Sequence, residues 1–289
     1  MKFLLTFVTL LGISQLTLAQ DDLLSEMEKQ ETVVSDFTIG TFSGTRLING
    51  HSIETKHKGS LEFIITHRFG TLNSGGYNLW GLDNSSIRLG LEYGITDKLG
   101  VGVGRSSFDK TFDYYTKYKV LRQTKSVPVT VTALGTASFK ASMREEFPTL
   151  ATRDKMSYVA QLLIARKFSQ RVSFQLAPAF LHQRTVNQDT AVNNLLSLGM
   201  GGRVKITRSM AVVAEYYLRL NEHDATPFND SIGLGVEFET GGHVFQLVFT
   251  NSRGMMERAF LAETTGDFFD GDIHFGFNIT RTFQLSGKK

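Results

Sequence analysis

The chain of 289 residues contains no cysteine and only 4 prolines, and no apolar run after the N-terminus is long enough to span a bilayer as a helix. Without cysteine the protein has no disulfide, no thiolate metal ligand, no cysteine nucleophile and no lipid-anchored cysteine at a processed N-terminus. An excess of one charge is also missing, because 31 basic and 28 acidic residues give a formal net charge of +3. A nucleic-acid-binding surface is therefore not expected.

The first 19 residues have the layout of a secretory signal peptide. Lys2 supplies a positive charge, residues 3–11 are almost wholly apolar, and Thr17 and Ala19 place small residues before the expected cleavage site. The alternative is a membrane-anchoring helix, but a spanning helix needs roughly 20 apolar residues. We therefore predict that residues 1–19 are removed and that the mature chain is exported.

From about Leu61 onward, apolar residues alternate with polar or small residues, which is typical of β-strands whose two faces differ. Residues 87–95 are the clearest case, with Arg88, Gly90, Glu92 and Gly94 placed between aliphatic and aromatic residues. The pattern predicts an all-β protein, an antiparallel up-and-down transmembrane β-barrel of about twelve strands. The expected strands are residues 58–69, 84–95, 98–106, 111–122, 127–139, 155–168, 171–184, 194–206, 209–221, 230–239, 242–251 and 271–284.

The predicted connections alternate between tight turns, such as 95–98 and 168–171, and longer polar loops, such as 140–154 and 252–270. Short periplasmic turns and longer extracellular loops are typical of an outer-membrane barrel. The sequence thus predicts a barrel at residues 58–285, preceded by a periplasmic segment, residues 20–57, that is a candidate plug. The alternative is a soluble β-sandwich, in which the same apolar faces would form a core.

Charged residues occur in the middle of several predicted strands, on the face opposite the aliphatic residues. We predict that they line the lumen, where two arrangements are open. They would either pair across strands and fill the interior, or line a water-filled path for small solutes. We favour the filled lumen, because charges of both signs occur in similar number. These residues are Arg88, Glu92, Lys117, Lys119, Arg203, Glu215, Arg219 and Glu237.

Aromatic residues near the predicted strand ends fit the interfacial girdles of such barrels, and packing in a core is the alternative for each. The loop at residues 252–270 carries Met255, Met256, Phe260, Phe268 and Phe269. It would either form an exposed contact site or fold inward over the barrel mouth. The expected girdle residues are Tyr93, Tyr114, Tyr118, Tyr158, Phe168, Phe245 and Phe283.

Several stretches resemble a domain-of-unknown-function family of membrane-bound outer-membrane β-barrel proteins of Gram-negative bacteria. The resemblance covers nearly the whole mature chain. It implies an outer-membrane barrel, and it brings no activity, substrate or catalytic residue with it. The matching stretches include GTFSGTRLINGHSIE at 40–54, YVAQLLIARKFS at 158–169, AEYYLRL at 214–220 and GDIHFGFNITRTF at 271–283.

Motifs for enzyme chemistry are weak. The Asn-Ser pair at Ser252 has the wrong order and spacing relative to His243 for the His-x-Ser-Asn-Gly run of outer-membrane phospholipases. The seven histidines are scattered, and only His51 and His57 approach the spacing of metal ligands. We therefore predict no catalytic residue, no metal and no cofactor.

We expect a narrow outer-membrane channel or passage for a small solute. The first alternative is a non-conducting structural or docking barrel that binds a partner through its loops or its N-terminal segment, and a membrane-embedded hydrolase ranks last. The expected partners are outer-membrane lipid, the barrel-assembly machinery and a small solute.

Overall fold

The computed structural model describes residues 37–286. The predicted signal peptide at 1–19 and the acidic stretch that follows it lie outside these residues. Within them the chain forms a closed barrel of twelve antiparallel strands in sequential order, in which β1 pairs with β12. The predicted all-β, up-and-down barrel is therefore confirmed.

The strand bounds differ from the predicted ones by three residues at most. The strands are β1 Ser60–Thr71, β2 Ser85–Gly94, β3 Leu99–Ser106, β4 Thr111–Leu121, β5 Thr130–Lys140, β6 Met156–Lys167, β7 Val172–Gln183, β8 Asn194–Lys205, β9 Met210–Arg219, β10 Ser231–Thr240, β11 His243–Thr250 and β12 His274–Gln284.

The two largest differences have local causes. Pro128 has no N–H to donate to a neighbouring strand, so β5 begins only at Thr130. Gly271 has a φ of +86°, which suits a turn and not a strand, and β12 begins at His274.

The connections differ between the two barrel ends. Turns of two to eight residues join β2 to β3, β4 to β5, β6 to β7, β8 to β9 and β10 to β11, and both described termini lie at this end. We call it the short-turn rim, and the opposite end the long-loop rim. The long-loop rim carries two short α-helices, α1 (Met143–Glu146) and α2 (Glu257–Ala262). The 3₁₀ turns Leu72–Ser74, Gly76–Gly81, Phe108–Lys110 and Thr152–Lys155 also lie there. No helix within residues 37–286 combines the length and the apolar character needed to cross a membrane.

The apolar faces of the strands point away from the barrel axis. In β2, the outward residues Leu89 and Leu91 are 45% and 42% exposed, whereas Arg88 and Glu92 between them are fully buried. A soluble β-sandwich would bury the aliphatic face instead, so that alternative is wrong. The expected girdle residues also point outward, with exposures from 36% for Tyr93 to 61% for Phe168.

The interior of the barrel is filled by two segments that are not strands. Residues 41–53 are buried almost throughout, and the loop between β11 and β12 folds inward with every residue of α2 buried. Phe42 and Leu47 from the first segment and Phe260 from α2 belong to one apolar cluster with inward residues of the strands. Of the two arrangements open for loop 252–270, the structure thus has the inward fold.

Candidate functional site inside the barrel

The site consists of the buried N-terminal segment, residues 41–54, and the inward side chains that hold it. We call residues 41–54 the inner segment. Its central part is a tight hairpin, in which Leu47 N–H donates to the Gly50 carbonyl at 2.9 Å and Ser52 N–H donates to the Thr45 carbonyl at 2.9 Å. The hairpin thus forms hydrogen bonds between some of its own backbone N–H and carbonyl groups, and other backbone groups bind side chains of the barrel wall.

Glu215 of β9 holds the tip of this hairpin. Its carboxylate accepts hydrogen bonds from three successive backbone N–H groups, those of Ile48 at 3.2 Å, Asn49 at 2.7 Å and Gly50 at 3.2 Å. Successive N–H groups in a turn form a concave site for an anion, and here a buried side chain fills that site. Hydrogen bonds to a charged acceptor are the stronger kind, so Glu215 is the main anchor of the inner segment.

Neutral side chains hold much of the remaining backbone. Gln175 of β7 accepts from the Ile53 N–H at 2.9 Å and donates to the His51 carbonyl at 2.8 Å. Gln246 of β11 donates to the Leu47 carbonyl at 2.7 Å, and Asn278 of β12 donates to the Ile48 carbonyl at 2.9 Å. Each amide forms hydrogen bonds with particular carbonyl or N–H groups of the inner segment. The contacts therefore depend on the position of the segment's backbone, which a side chain that only filled space would not require.

Two further strands also contact the backbone of the inner segment. Lys117 of β4 donates to the carbonyl groups of Thr45 at 2.8 Å and Glu54 at 3.1 Å. Thr132 of β5 donates to the Ile53 carbonyl at 2.9 Å. Six strands therefore bind the backbone of the inner segment: β4, β5, β7, β9, β11 and β12.

Arg68 of β1 is a fully buried cation whose partners are neutral oxygens. Its guanidinium donates to the side-chain oxygens of Asn49 at 2.8 Å and Asn278 at 2.9 Å, and to the His67 carbonyl at 2.8 Å. This side chain ties β1 and β12 to the hairpin tip next to Glu215. The donors of this guanidinium have fixed directions, so Arg68 positions the hairpin tip. Removal of Arg68 would leave its buried oxygen partners without donors and would destabilise the docked segment.

The eight charges predicted to line the lumen all lie on the inward face. Seven of them are buried, and the side chain of Lys119 is 12% exposed. Two ion pairs join predicted residues, Glu92 with Lys117 at 3.7 Å and Arg203 with Glu237 at 2.8 Å. Lys119 pairs with Glu54 at 3.3 Å, which links the wall to the inner segment.

Arg219 and Arg88 have partners that the sequence analysis did not include. Arg219 lies near the long-loop rim and pairs with Glu222 at 2.9 Å. The Arg88 Nε donates to Asp113 at 2.9 Å although the two residues belong to β2 and β4, which are separated by β3. The contact is possible because Gly104 of β3 lies between them, where a Cβ would meet the guanidinium at 2.2 Å. The glycine therefore makes room for a cross-strand ion pair.

Gly102 plays the same part for Tyr115. A Cβ on Gly102 would lie 2.1 Å from the Tyr115 ring, and the ring passes over the glycine so that its hydroxyl donates to Glu92 at 3.1 Å. The alternating glycines of β3 are inward-facing small residues, as the sequence suggested, and they accommodate side chains of β2 and β4.

The sequence analysis missed several wall residues of the site. Glu62 of β1 accepts a hydrogen bond from the Thr45 hydroxyl at 2.5 Å. Glu62 and Arg68 follow the same period of two in β1, so continued alternation from residue 62 would have found them. Gln175, Gln246 and Asn278 carry no charge, so they do not stand out among the polar residues of their strands. No local signal identifies such an amide as a ligand of a backbone segment more than a hundred residues away.

The inner segment is also joined to α2. Arg46 approaches Glu257 at 3.6 Å and lies over the Tyr115 ring at 5.7 Å. The Arg46 guanidinium lies 2.9 Å from His51 Nε2 and donates to it, so this nitrogen has no proton to offer Glu257 at 3.3 Å. Burial, with help from Arg46, lowers the pKa of His51 well below its ordinary value, and the imidazole is neutral. Burial raises the pKa of the Glu257 carboxyl.

The histidine pair considered for a metal does not come together. His51 is fully buried inside the barrel, whereas the His57 side chain is 87% exposed at the short-turn rim. No cluster of three or more potential metal ligands occurs among residues 37–286.

Ser252 lacks the surroundings of a nucleophile. Its hydroxyl is buried and donates to the Gly254 carbonyl at 3.1 Å. His243 begins β11 at the other end of the barrel wall, and no described histidine forms a hydrogen bond with Ser252. A serine nucleophile needs a base within hydrogen-bond reach.

A small cavity lies between the inner segment and the wall. It has a volume of about 10 Å³, the volume that one water molecule requires, and lies among Arg46, Gln246, Asn278 and neighbouring residues.

A closed barrel with apolar outward faces and a polar, filled interior defines a membrane β-barrel. The chain belongs to the family described as "Membrane bound beta barrel domain (DUF5777)", which matches residues 42–283. The match begins within the inner segment, so that segment is part of the family's domain.

Among solved structures, the NanC porin shares 10% identity over 78% of this chain and 100% of that chain, with a TM-score of 0.47. The KdgM porin shares 7% identity over 78% of this chain and 99% of that chain, also with a TM-score of 0.47. The outer membrane protein Omp33 of Acinetobacter baumannii shares 10% identity over 78% and 99%, with a TM-score of 0.43. These likenesses are too distant to transfer a function. No curated protein matches the chain significantly.

Proposed function

We propose that this protein is an outer-membrane passage for a small solute that is closed at rest by its inner segment and by α2. The observation that carries the proposal is the binding of the inner segment's backbone by side chains from six strands. A separate segment held by hydrogen bonds, ion pairs and apolar contacts is able to leave, whereas a wall filled by its own large side chains stays closed.

The composition of the wall around the inner segment supports a passage. Gly201 and Gly233 face Leu47 and Ile48, and a Cβ on either glycine would approach them to 2.5 and 3.1 Å. At these two positions the wall contributes no side chain, and Leu47 and Ile48 occupy the space. Withdrawal of the segment would leave polar and charged groups of both signs, which water would have to solvate.

The position of the inner segment supports its role as a plug that is inserted from the short-turn rim. Thr38 N–H donates to the Gln123 carbonyl in the turn between β4 and β5 at 2.8 Å, and Lys167 donates to the Ile39 carbonyl at 2.9 Å. Together with the predicted signal peptide, this arrangement favours a periplasmic N-terminus and insertion by the barrel-assembly machinery.

Deletion of residues 33–57 tests the proposal. We expect the full chain to show little conductance in planar bilayers and the deletion variant to show stable single-channel conductance. Deletion of residues 186–191, in an exposed loop of the long-loop rim, is the control and should leave the barrel closed. Heat-modifiable migration on a gel checks that each variant is folded.

Two results would count against a passage. One is a folded deletion variant that conducts no better than the full chain, even when α2 is also removed. The other is a full chain that conducts freely with the inner segment in place. The first result would favour the non-conducting docking barrel, in which the filled interior only supports surfaces that bind a partner.

A further inference from the structure

The two rims of the barrel carry opposite charge on their exposed surfaces. Among the described residues of the short-turn rim, Asp97 is the one exposed carboxylate, whereas exposed cations are numerous. These cations include Lys58, Lys98, Lys125, Arg166, Arg171 and Arg281. The long-loop rim instead exposes seven carboxylates, Asp83, Glu145, Glu146, Asp189, Glu222, Asp224 and Asp270, against five cations, Arg105, Lys110, Arg144, Arg153 and Arg184.

The carboxylates near the short-turn rim already have partners. Asp97 lies 3.4 Å from His57, and the partly buried Glu54 and Glu239 pair with Lys119 at 3.3 Å and with an inward arginine at 3.4 Å. The six exposed cations make no ion pair with any other residue of 37–286. These six cations are therefore available to bind anionic groups outside the described part of the chain.

Two of these cations belong to the outward, lipid-facing surface. Arg166 lies over the ring of Phe168 at 5.2 Å, and Arg281 lies over the ring of Phe283 at 4.9 Å. In each pair the two residues are two positions apart and share the outward face. The phenylalanine covers one side of the guanidinium, and the flexible stem lets the charged end reach the interface between hydrocarbon and headgroups. A guanidinium in that place offers two parallel donors to a phosphate.

The cations extend over more than half of the circumference, from β12 through β1 to the turn between β6 and β7. Arg166 belongs to β6 and Arg281 to β12, which lie on opposite sides of the twelve-stranded barrel. Lys98 and Lys125 lie in the turns between β2 and β3 and between β4 and β5. A short peptide segment would cover only part of such an arc, whereas lipid surrounds the whole barrel.

We propose that the short-turn rim binds the headgroups of anionic phospholipids through these cations. Arg166 and Arg281 contact the phosphates from the barrel wall, and the lysines of the turns add to the attraction. Each cation near an anionic membrane surface strengthens the binding to that surface by roughly fivefold. The acidic chain at 20–32 is the other candidate occupant, and the experiment below distinguishes it.

The test equilibrates the purified full chain with mixed micelles of phosphatidylglycerol and phosphatidylcholine and measures the bound lipid by mass spectrometry. We expect phosphatidylglycerol to be enriched over its share in the micelles. The variant R166Q/R171Q/R281Q should lose most of this enrichment, because it removes three cations from the rim without touching the interior. Heat-modifiable migration checks its folding.

The matched control R105Q/R144Q/R184Q removes three exposed arginines from the long-loop rim and should keep the enrichment. If the short-turn variant fails to fold, raising the salt from about 50 to about 500 mM should abolish the enrichment of the wild-type chain, since screening acts on exposed charges.

Three results would overturn the proposal. The first is wild-type binding that follows the micelle composition, and the second is an equal loss in both triple variants. The third is enrichment that appears only after deletion of residues 20–32, which would mean that the acidic segment and not lipid occupies the rim.

Discussion

Replacement of Glu215 by alanine should release the inner segment from the barrel. The carboxylate accepts the N–H groups of Ile48, Asn49 and Gly50, and all of these residues are buried. A buried donor that loses its partner costs about 1–3 kcal/mol. Three such donors at the lower limit, which allows for water entering the space, weaken docking by about 3 kcal/mol and raise the undocked fraction by roughly a hundredfold.

The absence of cysteine makes this prediction easy to measure. Ser52 of the inner segment is fully buried, so a cysteine introduced as Ser52→Cys is labelled by a maleimide only when the segment leaves the barrel. We expect Glu215→Ala to raise the labelling rate in proteoliposomes by roughly a hundredfold over the Ser52→Cys parent. Glu215→Gln keeps one acceptor oxygen and should give a smaller increase.

Glu222→Ala is the control, because Glu222 lies in an exposed loop and pairs with Arg219, away from the inner segment. It should leave the labelling rate of Ser52→Cys unchanged. A rate for Glu215→Ala within about twofold of its parent would refute the reasoning that buried hydrogen bonds to Glu215 hold the segment. The assay needs no conductance, so it stands apart from the proposed passage.

Three further predictions concern the wall and the hairpin. Gly102→Ala should destabilise the barrel by about 1–3 kcal/mol and so lower the temperature of its heat-modifiable transition, because a Cβ would lie 2.1 Å from the Tyr115 ring. Gly135→Ala is the control, and it should leave that temperature unchanged because a Cβ at this position would meet open space. Arg88→Leu should destabilise the barrel towards urea by about 3–5 kcal/mol by leaving Asp113 buried and unpaired, and the double variant Arg88→Leu/Asp113→Leu should recover most of this loss if the cost lies in the orphaned carboxylate. The lowered pKa of buried His51 means that docking is fully stable above the ordinary histidine pKa of about 6.5 and weakens as the pH falls below it. The labelling rate of Ser52→Cys, divided by that of an exposed cysteine at the same pH to remove the effect of thiolate ionisation, should therefore rise on acidification more in the parent than in a His51→Gln variant. Identical normalised pH profiles would contradict this role of His51.

The strands were predictable because alternation is a local property of the chain. Each strand reports its two faces through residues that are two positions apart, as Leu89, Leu91 and Tyr93 do in β2. Strand ends were less certain, because they depend on single residues such as Pro128 and Gly271, which stop the pairing without disturbing the pattern on either side.

Charge pairing was only partly predictable. The inward position of Arg88 follows from its place in β2, but its partner Asp113 lies two strands away and is reached across Gly104. Pairing between neighbouring strands would not suggest this contact, because adjacent residues on β2 and β3 are fixed by the register and Asp113 belongs to neither strand. The glycines of β3 determine the partner, and their effect is visible only in three dimensions.

The sequence by itself determined the fold class, the number and extent of the strands, and which face of each strand is apolar, since all of these depend on residues close together in the chain. The tertiary structure alone decided how the interior is filled. Glu215 and Asn49 are 166 residues apart, and the contact between them arises only when the barrel closes around the inner segment. No local pattern encodes such a contact, because its stability comes from burial and from partners that the closed barrel brings together.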